Sequence, residues 1–322
     1  MVKAVGFMAV AVAALLSGAV GVRAQNYPNR AITLVLPAAP GDSTDISGRI
    51  MAEELAKLLK VPVVPLNKPG AGGAIGTDTV AKAKNDGYTL VLGNNAALIS
   101  GRIINPETAA YDPFKDLTPL GLVTRAPAVF VVRSDALYKT FKELVEYSKA
   151  NPGKVRVGTF GTGSIGHFTL EIINSLTGAG MTMVPFRGAS PAVTALLGGH
   201  VEGAVPAIGV ASSHIKSGSM RPVVMSSKFP GFPDVPTLPE LGFKQNLLGV
   251  WWGFFGPPGL PTEVMGTLVP TIEKMAKDPA ITSRLAAVGV APDYKSPEKL
   301  LVEMREEYKV VEEIARKSGL VK

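Results

Sequence analysis

VRVGTFGTGSIG, residues 155–166, decides how this chain reads. Val155, Val157, Thr159 and Phe160 supply the alternating β-formers of a strand. The glycine run Gly161-Thr-Gly-Ser-Ile-Gly166 follows, and then HFTLEIINSL, in which Phe168, Ile172, Ile173 and Leu176 fall at helical spacing. A strand, a glycine loop and a helix start place backbone N–H groups and the positive end of a helix dipole at one point. Such a point is an anion cradle.

The same unit recurs upstream. AITLVL (31–36) is a buried-type strand, PAAPGDSTD (37–45) a turn-rich loop, and Ile46, Ile50, Met51, Leu55, Leu58 and Leu59 the apolar face of a helix. Ser43, Thr44 and Asp45 are competent caps for its first turn. A strand over 61–66, a second glycine-rich loop NKPGAGG (67–73), a helix over 74–84 and a strand over 88–93 ending at Asn94-Asn95 follow. Alternating strands and helices predict parallel sheets with helical crossovers, and ligands at the carboxyl ends of strands. Further strands are expected over 129–132, 181–186, 201–205, 223–225 and 248–256, and helices over 141–150, 191–197, 208–216, 261–276 and 296–317. Residues 105–118 read as a polar connection. Adjacent Trp251 and Trp252 are expected on opposite faces of their strand.

With 322 residues the chain is long enough for two domains, and 46% apolar against 18% charged residues makes it globular. Met1-Val2-Lys3, an apolar run over 4–20 and Val22-Arg23-Ala24 form a secretory signal peptide, cleaved after Ala24. LLGVWWGFFG (247–256) is the nearest later approach to a spanning segment, and it is too short. The absence of cysteine excludes disulfides, thiolate nucleophiles and cysteine metal sites. The net charge is +7 with basic residues scattered, and no basic run is interleaved with aromatics, so nucleic acid is not an expected partner. No metal-ligand spacing is present, and neither a metal nor a cofactor is expected.

Gly161-x-Gly-x-x-Gly166 also matches the dinucleotide fingerprint, with Arg187 after the next strand where it could read a 2′-phosphate. Export argues against a nicotinamide enzyme. Ser164 lacks the glycine two positions before it that a nucleophile elbow needs. Of the three histidines, His167 alone lies beside it, His200 and His214 reading as surface or helix-end residues. An exported hydrolase with Ser164 as nucleophile and His167 as base is the alternative to a carboxylate-binding pair. Asp45 reads as a helix cap. Asp42 is out of place beside an anion cradle unless it accepts a bond from a neutral part of the ligand or points away.

The ordered motifs carry a resemblance. Pro37-x-x-Pro40-Gly41-x-x-Thr44-Asp45-x-x-x-Arg49 resembles the first ligand loop of the tripartite tricarboxylate transporter solute-binding proteins, the Bug-type periplasmic receptors. NKPGAGGAIG (67–76), DGYTL (86–90), ANPGK (150–154), GTGS (161–164) with His167, VPFRG (184–188) and PDVPTLPE (233–240) look like that family's markers, in order. The resemblance implies an α/β two-lobed periplasmic binding protein of type II (Venus flytrap), each lobe a mostly parallel sheet flanked by helices. After the signal segment 1–24, residues 25–124 and 247–322 would form lobe 1 and residues 125–246 lobe 2. The implied ligand set is Ala39, Gly41, Asp42, Ser43, Thr44 and Asp45 from the first loop with Asn94. Across from it stand Thr162, Gly163, Ser164 and His167, then Phe186, Gly188 and Ala189, and finally Pro206 and Ala207. The implied role is binding without catalysis: a monomeric periplasmic receptor that delivers a small di-, tri- or aromatic carboxylate to membrane permease subunits of a tripartite tricarboxylate-type transporter. Some members report to sensor kinases instead. Two departures stand out. Asp42 replaces a second glycine common in the family, and Ala204-Val205-Pro206 replaces an acidic or aromatic residue. Both lean the ligand toward a bulkier, aromatic carboxylate.

Overall fold

The structure, a computed structural model, describes residues 27–317 and 319–321; the expected signal segment and its cleavage after Ala24 lie outside the described residues. Strand β1 (Ile32–Leu36) is almost wholly buried and ends at Pro37, where the chain enters the loop that opens helix α1 (Ser43–Leu59). Met51, Ala52, Leu55 and Leu59 lay that helix on the sheet. Lys60, in left-handed conformation at φ 57°, ends it. Strand β2 (Val63–Asn67), helix α2 (Ala74–Ala81) and strand β3 (Thr89–Asn94) follow, and β1 pairs parallel with both neighbours. A π turn, Ala96–Ser100, runs into the short helix α3 (Gly101–Ile104).

Strand β4 (Thr118–Ala126) leads directly into β5 (Val129–Arg133) of a second sheet. There follow α4 (Phe141–Ala150), β6 (Arg156–Thr159), α5 (Ile165–Thr177), β7 (Thr182–Pro185), α6 (Ala189–Leu197), β8 (Gly203–Ala204), α7 (Ile208–Lys216) and β9 (Met220–Met225). The chain then returns to the first sheet through β10 (Val250–Gly256), and closes with α8 (Thr262–Ala276), α9 (Pro279–Ala287), β11 (Ala291–Lys295) and α10 (Pro297–Lys317). The sheet orders are β11-β4-β10-β3-β1-β2 and β7-β6-β8-β5-β9.

The two-lobed α/β pattern stands, but the sheets are mixed rather than mostly parallel. β10 runs antiparallel to β3 and β4, β11 to β4, and β5 to β8 and β9. The reason is the crossing between sheets. Strands β1, β3, β6 and β7 end at the boundary between the sheets, whereas β5 and β10 begin there, each entering from the other sheet. A strand that enters at the end where its neighbours finish runs against them. β4, β11 and α9 were not expected, and the expected strand over 201–205 shrinks to Gly203–Ala204.

Candidate ligand-binding cleft

A cavity of about 440 Å³ lies where these strand ends meet. One wall is the first turn of α1, with Ser43 and Thr44, beside Asn94 at the end of β3 and Trp252 on β10. Residues 69–73 form a second edge, and Phe160, Phe186, Gly188, Ala189 and Ala207 line it from the second sheet. Asp42 is the N-cap of α1, extended at φ −73° and ψ 161°, yet no side chain caps that turn. The Ser43 hydroxyl is buried without a hydrogen-bond partner. The open helix end therefore offers first-turn N–H groups and positive potential to the cavity.

The neighbours of that turn hold it in place. Thr44 Oγ1 accepts from Trp252 Nε1 at 2.6 Å. Asp45 turns away from the cavity and accepts from the Gly41 N–H at 2.9 Å, the Asn67 amide at 2.9 Å and Arg49 Nε at 2.8 Å. Burial works to raise the Asp45 pKa, but these donors outweigh it and hold the carboxyl below its usual value. Asn94 Oδ1 accepts from the Ala97 N–H at 3.0 Å and fixes the turn after β3.

Asp42 points to the other sheet. Its carboxylate accepts from the Ser190 N–H at 2.7 Å, the Ser190 hydroxyl at 2.6 Å and the Ala189 N–H at 3.3 Å. These are first-turn groups of α6, whose N-cap Gly188 has no side chain to satisfy them. A Cβ on Gly188 would stand 2.6 Å from Asp42 Oδ2, so only glycine admits this approach. Burial pushes the Asp42 carboxyl up, the donors offset this only in part, and the net direction is upward. Every partner donates, which matches an ionised carboxylate. The unexpected acid of the first loop is thus a cap, supplied across the cleft.

The glycine run is differently placed from the sequence expectation. Phe160 and Gly161 line the cavity, but Thr162, Gly163, Ser164 and His167 do not. Ser164 is fully buried as the N-cap of α5, its Oγ accepting from the His167 N–H at 3.2 Å. The Gly163 N–H donates to His167 Nδ1 at 3.2 Å, and Ser100 Oγ donates to the Gly163 carbonyl at 2.6 Å. The cradle donors are taken up internally, against the turn that follows β3. The Ser164 hydroxyl engages backbone rather than the imidazole, and burial lowers the His167 pKa. Ala39, Gly41, Asp45 and Pro206 also stand off the cavity wall. Of the two tryptophans, which sequence leaves open as core or cleft lining, Trp252 lines the cavity; sequence reasoning missed Phe160 and residues 69–73, although the latter carried the same strand-then-glycine signal as the loops it did select. Among the described residues no cluster of three or more possible metal ligands occurs, and no helix is long and apolar enough to cross a membrane.

Residues 48–320 match the model of the tripartite tricarboxylate transporter family receptor. The chain belongs to this family. BugT of Bordetella pertussis is 34% identical over 280 residues, 86% of each chain. Among solved structures, R. palustris Rpa4515 with adipate superposes with a TM-score of 0.87 at 27% identity, covering 91% of this chain and 98% of that one. MatC of Rhodopseudomonas palustris with bound malate superposes at 0.84 with 30% identity, covering 89% and 99%. The periplasmic binding protein BugD superposes at 0.84 with 30% identity, covering 91% of this chain and 99% of that one, and the chain has the same fold.

Proposed function

We propose that this receptor works in the periplasm, captures a small organic carboxylate between its two lobes and hands it to the permease subunits of a tripartite tricarboxylate-type transporter. The observation that carries this reading is the uncapped N-terminus of α1 in the cavity, beside a buried, unpartnered Ser43 hydroxyl. Oriented N–H dipoles and a hydroxyl in a water-poor cleft suit a carboxylate without needing a buried cation. The adipate and malate of the two similar receptors support the same ligand class. Residues 25–124 with 247–322 would be one lobe and 125–246 the other, closing on the ligand as rigid bodies. The role is binding alone, by a monomer released from its signal segment after Ala24.

A thermal-shift screen of residues 25–322 against aliphatic and aromatic mono-, di- and tricarboxylates tests this. A ligand at 100 times its dissociation constant adds about 2.7 kcal/mol, enough to raise Tm by several degrees. A carboxylate hit that weakens in Ser43→Ala supports the reading. No shift from any carboxylate overturns it.

A further inference from the structure

Four helices have their N-cap on the cleft wall, α1 at Asp42, α2 at Gly73, α6 at Gly188 and α7 at Ala207, and the chain treats α1 and α6 differently. The N-terminus of α1 is open to the cavity. That of α6 is closed by Asp42, reaching from the opposite sheet over a separation of 148 residues to Ser190. The approach depends on a bare Gly188, and Gly41, at φ 82°, turns the loop that delivers the carboxylate. We infer that Asp42 is a specificity-determining residue: it supplies from the chain itself the carboxylate for the α6 side, so that the cleft takes ligands with one carboxylate, held at α1, and an uncharged remainder.

This rests on the carboxylate reading above and narrows it. A second carboxylate at the α6 end meets donors already engaged and a negative charge already present. Displacing Asp42 instead leaves that carboxylate buried without partners. Arg187, the other charged residue on the cavity wall, offsets Asp42 in formal charge, but it is exposed, where pairing with a ligand is screened. The α1 end, with the unpartnered Ser43 hydroxyl beside it, is left to the ligand. Facing it, Phe160, Phe186 and Val250 offer an apolar bed for the rest of the ligand.

Calorimetric titration of the wild type, Asp42→Gly and Asp42→Asn with two matched pairs of probes tests the inference: hexanoate against adipate, and benzoate against terephthalate. Circular dichroism first checks that each variant is folded. In whichever pair binds, the wild type is expected to prefer the monoacid by about tenfold or more. Asp42→Gly frees the Ala189 and Ser190 donors and brings the ratio to unity or reverses it. Asp42→Asn, which removes the charge and keeps one accepting oxygen, falls between. A wild type that takes the diacid as tightly, or a ratio unmoved in Asp42→Gly, overturns the role of Asp42 and leaves carboxylate capture standing. Binding of none of the four by the folded wild type overturns both.

Discussion

Trp252 Nε1 donates to Thr44 Oγ1 at 2.6 Å, so the strand that re-enters the first sheet is pinned to the first turn of α1. Both residues line the cavity. The indole holds the threonine in one rotamer and leaves the adjacent N–H groups facing the ligand. Trp252→Phe keeps the apolar wall and removes the bond, so stability is expected to fall by only about 1 kcal/mol. Ligand affinity is expected to fall about tenfold, because the open helix end is no longer preorganised. The ligand-induced change in tryptophan fluorescence should vanish with it, since Trp251 engages Glu307 instead. A fluorescence response that survives in Trp252→Phe would place the ligand elsewhere.

Closure is predicted to depend on Gly163. At φ 79° its Cβ would stand 2.6 Å from Gly101 Cα, across the boundary between the sheets. Alanine there pays for a left-handed backbone, about 1 kcal/mol, and also wedges the two loops apart. Gly178 is the matched control: φ is 67° and nothing lies within 4 Å of its Cβ position. Gly178→Ala should lose only the cost of the left-handed backbone in urea titrations, and Gly163→Ala more. Only Gly163→Ala should lose affinity, about tenfold or more, and fail to compact on ligand addition in small-angle scattering. Equal affinities for the two variants would remove Gly163 from closure.

What the sequence shows and what it hides follow from distance along the chain. Strand, glycine loop and helix start are local features, and α4 and α7 are legible from apolar spacing alone, whereas Asp45, which reads as the cap of α1, bonds Gly41, Asn67 and Arg49 instead. The direction of β10 is not, because it depends on the chain having left for the second sheet and come back. Ser164 and His167 have the local signature of a cradle, yet Ser100, over 60 residues earlier, covers the loop that holds them. Asp42 looks anomalous only until Ser190 is brought to it. In each case the outcome is decided by residues distant in the chain.

Asp45 gives a pH prediction with a definite sign. Its folded carboxyl is held below the unfolded value of about 3.9. The stability this provides is complete above that value and is lost as pH falls through the depressed folded one. Asp45→Asn forfeits the charge-assisted bonds to Gly41, Asn67 and Arg49, at a cost of about 1–3 kcal/mol near neutrality. Urea titrations should show a constant gap between wild type and variant from about pH 7 to 5, narrowing below about pH 4. A gap that does not narrow on acidification would mean the charge on Asp45 is not what braces the loop.

Glu307 should show the opposite sign. Its buried carboxylate accepts from Asn95 Nδ2 at 2.7 Å and from Trp251 Nε1. Burial pushes its pKa up, while Asn95, Trp251 and nearby Arg125 pull it down, and the net direction is upward. A raised folded pKa contributes stability that is full below the unfolded value of about 4.3 and is lost as pH rises through the folded one. Glu307→Gln keeps the acceptor oxygen without the titration, so it should gain on the wild type between about pH 4.5 and neutrality. Glu307→Ala leaves the indole N–H and one of the two Asn95 Nδ2 hydrogens unsatisfied, the other still donating to the Gly249 carbonyl at 2.9 Å, and is expected to cost about 2–4 kcal/mol. Urea unfolding followed by fluorescence at acid and neutral pH separates the two effects. A difference between wild type and Glu307→Gln that is the same at both pH values would show that Glu307 does not titrate across this interval.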